Sequence, residues 1–331
     1  MVAGLGSRIG TGEGEQHTGQ RQGAECRWAL HAIEATDTSA GAAETAGLPG
    51  YSRLMSAQHR PRVLIGISGW TYAPWRGDFY PSGLAHRKEL GYASEHLTSI
   101  EINGTFYAMQ KPSSFTKWHD ETPDDFVFSI KGGRYVTHIK RLVGVESALA
   151  NFFATGVLTL GDKLGPFLWQ LPPNLEFDAQ KMTDFCALLP RTVSVAVTLA
   201  ESRDDKLAED RVLLPAASSR PLRHCIEARH ASFASDEAVE LLRENDIAIV
   251  VADTAGKYPY IDTPTADFMY ARLHGDEELY ASGYTDDALD RWATKISEWT
   301  SAGRDVFVYF DNDIKGYAPF DAMKLIERVG Q

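Results

Sequence analysis

The sequence has few cysteines and no long apolar run. Its three cysteines, Cys26, Cys186 and Cys225, lie far apart without CxxC or CxxH spacing, which disfavours a zinc site or a disulfide framework. No stretch of about 18 uninterrupted apolar residues occurs, so no membrane-spanning helix is expected. The N-terminus lacks the basic start and apolar core of a signal peptide. Together with the expected reduced thiols, this predicts a cytoplasmic protein.

Positive charge is also scarce over the chain as a whole. The 331 residues carry a formal net charge of -12, which disfavours unspecific attraction to nucleic acid or to anionic membranes. Hydrophobic residues make up 44% and charged residues 24% of the sequence, as is typical of a soluble globular protein. We therefore expect neither nucleic acid nor a membrane as a partner, and the composition leaves the oligomeric state open.

Residues 1–58 show little hydrophobic periodicity and are rich in Gly, Ala, Ser and Thr. This composition predicts a disordered or low-complexity N-terminal extension, although a start codon placed too far upstream would give a similar segment. From Pro61 onward the sequence pattern changes, and short runs rich in β-branched residues alternate with amphipathic stretches. We therefore expect a single folded domain over residues 61–331.

The alternating segments predict an α/β fold. Strands are predicted at 62–68, 98–103, 126–131, 166–171, 223–229, 247–253, 268–274 and 305–310. Helices are predicted at 85–96, 112–120, 145–160, 178–189, 235–245, 285–302 and 315–329. Eight strands in roughly 270 residues predict a (β/α)8 TIM-type barrel. The alternative is an open doubly wound sheet, which commonly has a Gly-rich phosphate turn after its first strand; here the first strand ends in SGWTY (68–72), which is not such a turn.

Polar and charged side chains gather at the ends of the predicted strands. Because alternate residues of a barrel strand face the interior, the apolar residues can be assigned to the helix-facing side and the polar ones to the inside. The predicted interior set is Glu101, Asn103, Lys131, Gln170, Glu227, Arg229, Arg272 and His274. Asp253 ends the sixth strand, but its facing is less clear. The carboxyl ends of barrel strands form the active face, so this pattern predicts a site there.

A purely structural ion network is the alternative explanation of these residues. Three acids, Glu101, Glu227 and Asp253, could balance three bases, Lys131, Arg229 and Arg272. Desolvating each ion costs several kcal/mol, however, and apolar residues often replace such pairs without loss. The position of the charges at the active end of the barrel therefore favours a ligand site.

The loops after the strands add further candidate residues. Residues 126–145 contain no Asp or Glu but include Lys131, Arg134, Lys140 and Arg141, a local cationic patch suited to a phosphate or carboxylate. Gly132 and Gly133 would let backbone N–H groups approach the ligand, and His138 could add a donor. Lys131 and Arg134 are the better candidates because they lie closer to the end of the strand, whereas Lys140 and Arg141 also fit an ordinary solvated basic face. Trp70, in the first loop, is expected either to stack on a ligand or to cap the barrel. The remaining polar candidates are Tyr107, beside Asn103, and Asn312, in the rim sequence YFDND.

An ordered series of short motifs resembles the YecE-like family, also called domain of unknown function 72. The matching pieces are SGWTYAPWRGDFYP (68–81), IEINGTFY (100–107), TPDDFVFSIK (122–131), THIKRL (137–142), QLPP (170–173), EARH (227–230), YARLHG (270–275) and YFDND (309–313). The resemblance runs from about residue 63 to the C-terminus and implies a (β/α)8 barrel. No activity is established for the family, so the resemblance implies no reaction.

Three functions are compatible with these residues. The first is an enzyme, namely a hydrolase, isomerase or lyase, that uses acid/base chemistry on a small anionic, sugar-like molecule. Its catalytic candidates are Glu101, Glu227, Lys131 and His274, and its substrate-binding candidates are Asn103, Tyr107, Arg134, His138, Gln170, Arg229, Asp253, Arg272, Trp70 and Asn312.

The second is a metal-assisted hydrolase or isomerase, including one that acts on phosphodiesters, in which Glu101, Glu227, Asp253 and His274 would be the ligands. Three cations near these ligands would repel a metal ion, so we predict no cofactor. The third function is a non-catalytic ligand-binding module.

Overall fold

The computed structural model describes residues 60–330, so the segment predicted to be disordered, residues 1–58, lies outside the described residues. Nine parallel strands form one sheet. They are β1 (Val63–Ser68), β2 (Ser99–Ile102), β3 (Val127–Lys131), β4 (Leu164–Gln170), β5 (His224–Glu227), β6 (Ala248–Ile249), β7 (Val251–Asp253), β8 (Phe268–Leu273) and β9 (Asp305–Phe310).

The sheet curls into a barrel whose two ends meet within one stretch of chain. The strand order is β6-β5-β4-β3-β2-β1-β9-β8-β7. Only Val250 separates β6 from β7, and its N–H group donates to the carbonyl of Ile226 in β5 at 2.9 Å. Because β6 pairs with β5 and β7 pairs with β8, the two short strands act as halves of one barrel strand. The predicted (β/α)8 barrel is confirmed, with the sixth predicted strand divided in two.

Nine α-helices follow the strands or lie in the connections between them, within the described part of the chain. They are α1 (Glu89–His96), α2 (Gly104–Tyr107), α3 (Pro112–Asp120), α4 (Glu146–Ala154), α5 (Ala179–Leu188), α6 (Val193–Glu201), α7 (Asp236–Glu244), α8 (Asp286–Ser301) and α9 (Tyr317–Val329). Short 3₁₀ segments occur at Ala73–Trp75, His86–Lys88, Val157–Lys163, Glu209–Arg211 and Ala231–Ala234, and a π-helix at Tyr135–Ile139.

Most predicted helices agree closely with the observed ones, and one differs. The predicted helix at 145–160 is wrong in its second half, because α4 ends at Ala154 and Gly156 adopts a left-handed conformation with φ of 92°. A 3₁₀ segment then leads into β4. At the start of α8 the side chain of Thr285 accepts a hydrogen bond from the N–H group of Ala288, which satisfies one of the free N–H groups of the first turn.

Two separate apolar clusters show how the strands sort their side chains. The larger cluster lies between the sheet and the helices and includes Ile100, Phe128 and Ile226. The smaller cluster uses the opposite face of the strands and therefore fills the barrel interior. It consists of Leu64, Val127, Leu168, Cys225, Ala248, Val250, Ala252, Phe268, Tyr270, Phe307 and Tyr309. The predicted alternation along the third, fourth, fifth and seventh predicted strands agrees with this division.

The apolar interior ends before the strands do. Further along the same interior faces come Ser129 and Lys131 in β3, Gln170 in β4 and Arg272 in β8. The carboxyl end of the barrel is thus polar, while its amino end is packed with aliphatic and aromatic side chains. In the described part of the chain, no helix has the length and apolar character needed to cross a membrane.

Candidate active site

Arg272 lies at the centre of a buried ion network inside the barrel. It is fully buried at the penultimate position of β8. Its Nη2 and Nε atoms donate to the two oxygens of Glu101 at 2.9 and 3.1 Å. Its Nη1 atom donates to Glu227 at 2.6 Å, and Nη2 also donates to Asp311 at 2.9 Å. One guanidinium therefore joins carboxylates from β2, from β5 and from the residue that follows β9.

Both oxygens of Glu101 and of Glu227 already accept hydrogen bonds from the protein. Glu101 accepts from Ser68 Oγ at 3.0 Å and from the Tyr270 hydroxyl at 2.6 Å, besides Arg272. Glu227 accepts from Nε of Arg229 at 2.8 Å. Burial would raise the pKa of Glu227, but the charges of Arg229 and Arg272 offset this and hold the pKa well below its usual range. These two carboxylates are buried, paired and not exposed to the mouth of the barrel.

A cavity of about 460 Å³ lies above this network, at the carboxyl ends of the strands. We call it the mouth cavity. The residues that line it are Tyr72, Asn103, Phe106, Tyr107, Lys131, Gln170, Arg229, Tyr280, Asp311, Asp313 and Ile314. It therefore contains cationic, carboxylic, amide and phenolic groups within a volume suited to a small metabolite.

Lys131 is the cation of the mouth cavity that has no carboxylate partner. It is only 8% exposed, and its Nζ atom lies 4.8 Å from the centre of the Phe106 ring. Among residues 60–330 it forms no ion pair, whereas Arg229 and Arg272 are both paired. Burial and the charge of Arg272 lower the pKa of Lys131. The protein thus holds a desolvated ammonium group at the cavity wall, in the field of Glu101, Asp311 and Glu227 but without an ion pair to any described carboxylate.

The backbone around Lys131 is fixed by short contacts. Thr105 Oγ1 donates to the Lys131 carbonyl at 2.6 Å, and the N–H group of Gly132 donates to the Leu168 carbonyl at 2.8 Å. A Cβ atom at Gly132 would lie 2.2 Å from the ring of Trp169. Gly132 therefore allows close packing between β3 and β4. Its N–H group is occupied by this contact, so the ligand-binding role predicted for the backbone of Gly132 and Gly133 stays a prediction for Gly133 alone.

Asp311 and Asp313 place two carboxyl groups with different acidities in the mouth cavity. Burial would raise the pKa of Asp311, but Arg272 holds it well below its usual range. Burial and the negative charge of Asp311 raise the pKa of Asp313 to about 6. Carboxyl groups whose pKa values are pushed apart in this way can act as a proton donor and a charged partner in one site. Tyr72, whose hydroxyl donates to the Ser68 carbonyl at 2.6 Å, lies beside Asp313.

His274 is buried below the mouth cavity and does not line it. Its Nδ1 atom is 3.0 Å from Asp311 Oδ2, and its Nε2 atom is 3.8 Å from Glu227 Oε1. Neither ring nitrogen has a well-aligned hydrogen bond with the described residues. The imidazole therefore contacts two members of the ion network without being locked by either one.

Five other predicted residues lie in or beside the mouth cavity. Asn103, Tyr107, Gln170 and Arg229 line it. Arg229 also donates to the Tyr280 hydroxyl at 3.3 Å. His138 packs against the Phe106 ring at a centroid distance of 5.1 Å. Burial and the charge of Arg229 lower the pKa of His138.

The four remaining predicted residues neither line the mouth cavity nor belong to the ion network of Arg272. Asp253 accepts a hydrogen bond from the Tyr284 hydroxyl at 3.1 Å, and burial raises its pKa. Asn312 donates to the Ser282 carbonyl and to Asp321 in α9, both at 2.9 Å. Trp70 packs edge to face against Trp118 at 5.3 Å. Arg134 is exposed and lines a neighbouring cavity.

The sequence analysis placed Asp311 and Asp313 in the polar rim sequence YFDND but selected only Asn312 from it, and it did not select Tyr72 or Tyr280. Side-chain alternation contained the signal for Asp311. Phe307 and Tyr309 of β9 face the barrel interior, so Asp311 continues that face and Asn312 takes the other one. Tyr72 and Tyr280 come from irregular loops, where no periodicity indicates the direction of a side chain.

The predicted metal ligands are not gathered into one group. Between residues 60 and 330, no three His, Cys, Asp or Glu side chains are arranged to hold a metal ion. Asp253 contacts Tyr284 rather than Glu101 or Glu227. The guanidinium of Arg272, and not a metal ligand set, joins Glu101 and Glu227.

The fold and the polar mouth together define a (β/α)8 barrel protein with a candidate active site at the carboxyl ends of its strands. The family described as Protein of unknown function DUF72 matches residues 64–331, so the chain belongs to this family, as the resemblance to YecE-like proteins predicted. UPF0759 protein YunF from Bacillus subtilis is 32% identical over 297 residues, covering 80% of this chain and 94% of YunF. UPF0759 protein YecE from Escherichia coli is 29% identical over 110 residues, covering 33% of this chain and 38% of YecE.

Solved structures of similar proteins agree in fold. A DUF72 family protein from Thermotoga maritima has a TM-score of 0.65 at 24% identity, covering 82% of this chain and 100% of that protein. A DUF72 family protein from Enterococcus faecalis has a TM-score of 0.62 at 14% identity, covering 81% of this chain and 96% of the other. At these identities the likeness concerns the fold alone.

Proposed function

We propose that the protein is an enzyme that binds a small anionic molecule in the mouth cavity and uses acid/base chemistry on it. The observation that carries this proposal is the unpaired ammonium group of Lys131. A buried cation without a partner is costly, and an anionic ligand would remove that cost. A phosphate or carboxylate group placed against Lys131 would also be within the field of Arg229 on the same wall.

The remaining lining residues suit a polar, sugar-like body. The amides of Asn103 and Gln170 and the hydroxyls of Tyr72 and Tyr280 line the cavity, and such groups both donate and accept hydrogen bonds. These residues would orient hydroxyl groups of the ligand relative to the anionic group at Lys131.

Asp313 is the proton donor of this proposal. With a pKa of about 6, its carboxyl group is partly protonated near neutral pH, which suits general acid catalysis. Asp311, held ionised by Arg272, would keep the pKa of Asp313 raised. A reaction that needs a proton on a leaving or rearranging oxygen fits this arrangement and is found among hydrolases, isomerases and lyases.

Glu101, Glu227, Arg272 and His274 act through other residues in this proposal. Glu101 and Glu227 fix the guanidinium of Arg272, and Arg272 in turn holds Asp311. His274 contacts Asp311 from below. They are positioning residues that set the electrostatic field of the mouth cavity, and they would not touch the ligand.

Ligand binding tests the anion site directly. Thermal shifts of the wild-type protein would be measured against phosphorylated and carboxylated sugars, and compared with those of Lys131→Met and of Lys88→Met, a matched change at an exposed lysine outside the cavity. We expect the compounds that stabilise the wild-type protein to stabilise Lys88→Met equally and to lose their effect on Lys131→Met. Equal stabilisation of all three proteins would overturn the anion site.

Turnover is tested separately with the compounds that bind. Product formation would be followed by NMR with wild-type protein and with Asp313→Asn. We expect turnover by the wild-type protein, with its rate reduced at least about a hundredfold in the variant, as is typical for loss of a general acid. Binding without turnover of any compound would instead identify a ligand-binding module.

A further inference from the structure

A second cavity, of about 640 Å³, adjoins the mouth cavity. It is lined by the segments that follow β2 and β3, by one side of α4, and by Asp204 and Lys206. Phe106 and Tyr107 line both cavities, so these two side chains form the wall that the cavities share. A ligand in the mouth cavity therefore has a place into which it can extend.

The second cavity combines apolar surface with cations. Val136 and Phe152 are buried apolar residues in its lining, and Tyr107, Met109 and Tyr135 are exposed by 72%, 44% and 52%. Because these three exposed side chains border one cavity, they form a shared apolar surface of the kind that marks ligand-binding grooves.

Arg134 and Lys140 give this cavity a positive charge. Both line it, and within the described chain neither forms an ion pair. The one carboxylate in the lining, Asp204, accepts a hydrogen bond from Asn151 at 2.9 Å and lies 4.0 Å from Lys206. The acidic group is thus satisfied by its neighbours, while Arg134 and Lys140 remain available to an anion.

We propose that the second cavity binds the remainder of the molecule whose anionic group contacts Lys131. This inference rests on the proposed function. The substrate would carry two anionic groups joined by an apolar or aromatic body. The first anion would pair with Lys131, the body would lie along Phe106 and Tyr107, and the second anion would pair with Arg134 and Lys140. The volume of the second cavity falls within the range of small-molecule sites, which favours this occupant over a macromolecule.

The inference is tested with alkyl phosphates of increasing length and with bisphosphates. Affinities of methyl, butyl and hexyl phosphate and of hexanediol bisphosphate would be measured by calorimetry. We expect affinity to rise with chain length by up to roughly fourfold per added methylene, the gain for moving a CH₂ group out of water. The bisphosphate should bind about tenfold more tightly than hexyl phosphate, as expected for a hydrogen bond to a charged group.

Substitutions in the second cavity test whether the gain in affinity with chain length arises there. Ser147 is an exposed lining residue of α4, so Ser147→Trp fills the cavity and Ser147→Ala is its matched control. We expect Ser147→Trp to abolish the chain-length gain without changing the affinity for methyl phosphate. The double variant Arg134→Gln, Lys140→Gln should lose the extra affinity for the bisphosphate only.

The outcomes separate this inference from the proposed function. Suppose that methyl phosphate binds in a Lys131-dependent way. If longer chains then bind no more tightly, or if their gain in affinity survives in Ser147→Trp, the assignment of the second cavity is overturned while the proposed function stands. Equal affinity for hexyl phosphate and the bisphosphate would overturn the second anionic group. Absence of Lys131-dependent binding for every phosphate would overturn both proposals.

Discussion

Replacing Arg272 by Met removes the cation that joins the carboxylates of Glu101, Glu227 and Asp311. Met occupies a similar volume but donates no hydrogen bond, so Glu101, Glu227 and Asp311 would each lose a partner at 2.6 to 3.1 Å. Breaking a buried ion pair from one side typically costs 3–5 kcal/mol, because the remaining charge stays buried. We expect Arg272→Met to lose about 4 kcal/mol of unfolding free energy, or roughly 8 °C in Tm for a domain of this size.

The loss of unfolding free energy in Arg272→Met should depend on pH. The direction of this dependence follows from the pKa values of the carboxyl groups. In the wild-type protein the pKa values of Glu227 and Asp311 are lowered. The stability that they contribute is therefore present above their ordinary pKa values and is lost as the pH falls through the lowered values. Without Arg272 this contribution disappears, and protonation of the carboxyl groups relieves the buried charge. The difference between variant and wild type should be largest near neutral pH and should shrink toward about pH 4.

Urea denaturation at about pH 8 and about pH 4 measures both quantities. Arg272→Lys is an informative control, since it keeps the charge but cannot make the same set of hydrogen bonds, and it should fall between wild type and Arg272→Met. A loss below about 1 kcal/mol, the range of exposed ion pairs, would refute the assignment of Arg272 as the centre of the network. So would a loss of equal size at both pH values.

Three further predictions follow from the same site. Lys131→Met should raise Tm, because it removes a buried charge that has no ion-pair partner among the described residues; a clear fall in Tm would contradict the unpaired state. Asp313, with its pKa raised from 3.8 to about 6, favours folding at low pH and loses this contribution as the pH rises through about 6. Denaturation should therefore show Asp313→Asn to be more stable than wild type by up to about 3 kcal/mol at about pH 8, with no gain at about pH 4. Gly132→Ala should lower the free energy of unfolding by about 1–3 kcal/mol, because its Cβ atom would lie 2.2 Å from the buried ring of Trp169. Gly133→Ala is the control for the same denaturation experiments. It should be nearly neutral, because the nearest atom to its Cβ atom would be 3.9 Å away.

The fold was predictable because its signal is local and repeated. Each strand is a short β-branched run, and each helix has its own apolar face, so periodicity identifies the elements one at a time. The divided strand β6–β7 and the end of α4 at Ala154 were not predictable, because they depend on backbone hydrogen bonds and a left-handed glycine that periodicity does not reveal.

The side chains that face the barrel interior could also be predicted, but the ion pairs between them could not. Alternation correctly placed Lys131, Glu227 and Arg272 inside the barrel. It gives no distances, however, so counting acids and bases suggested complete neutralisation, with Asp253 as the third acid. In the structure Asp253 contacts Tyr284 instead, and Asp311 is the third carboxylate of the network. Only the three-dimensional structure shows that Lys131 is the cation of this cavity without an ion pair among the described residues.

The packed amino end of the barrel has a consequence for how a ligand enters and leaves the mouth cavity. Leu64, Phe268 and Phe307 belong to the apolar cluster that fills the interior below the charged residues. Within residues 60–330 this cluster closes the amino end of the barrel, so a molecule in the mouth cavity would enter and leave on the side of the carboxyl ends. Under the proposed function, product that has not yet left the mouth cavity would keep the next substrate out, so accumulated product should slow turnover.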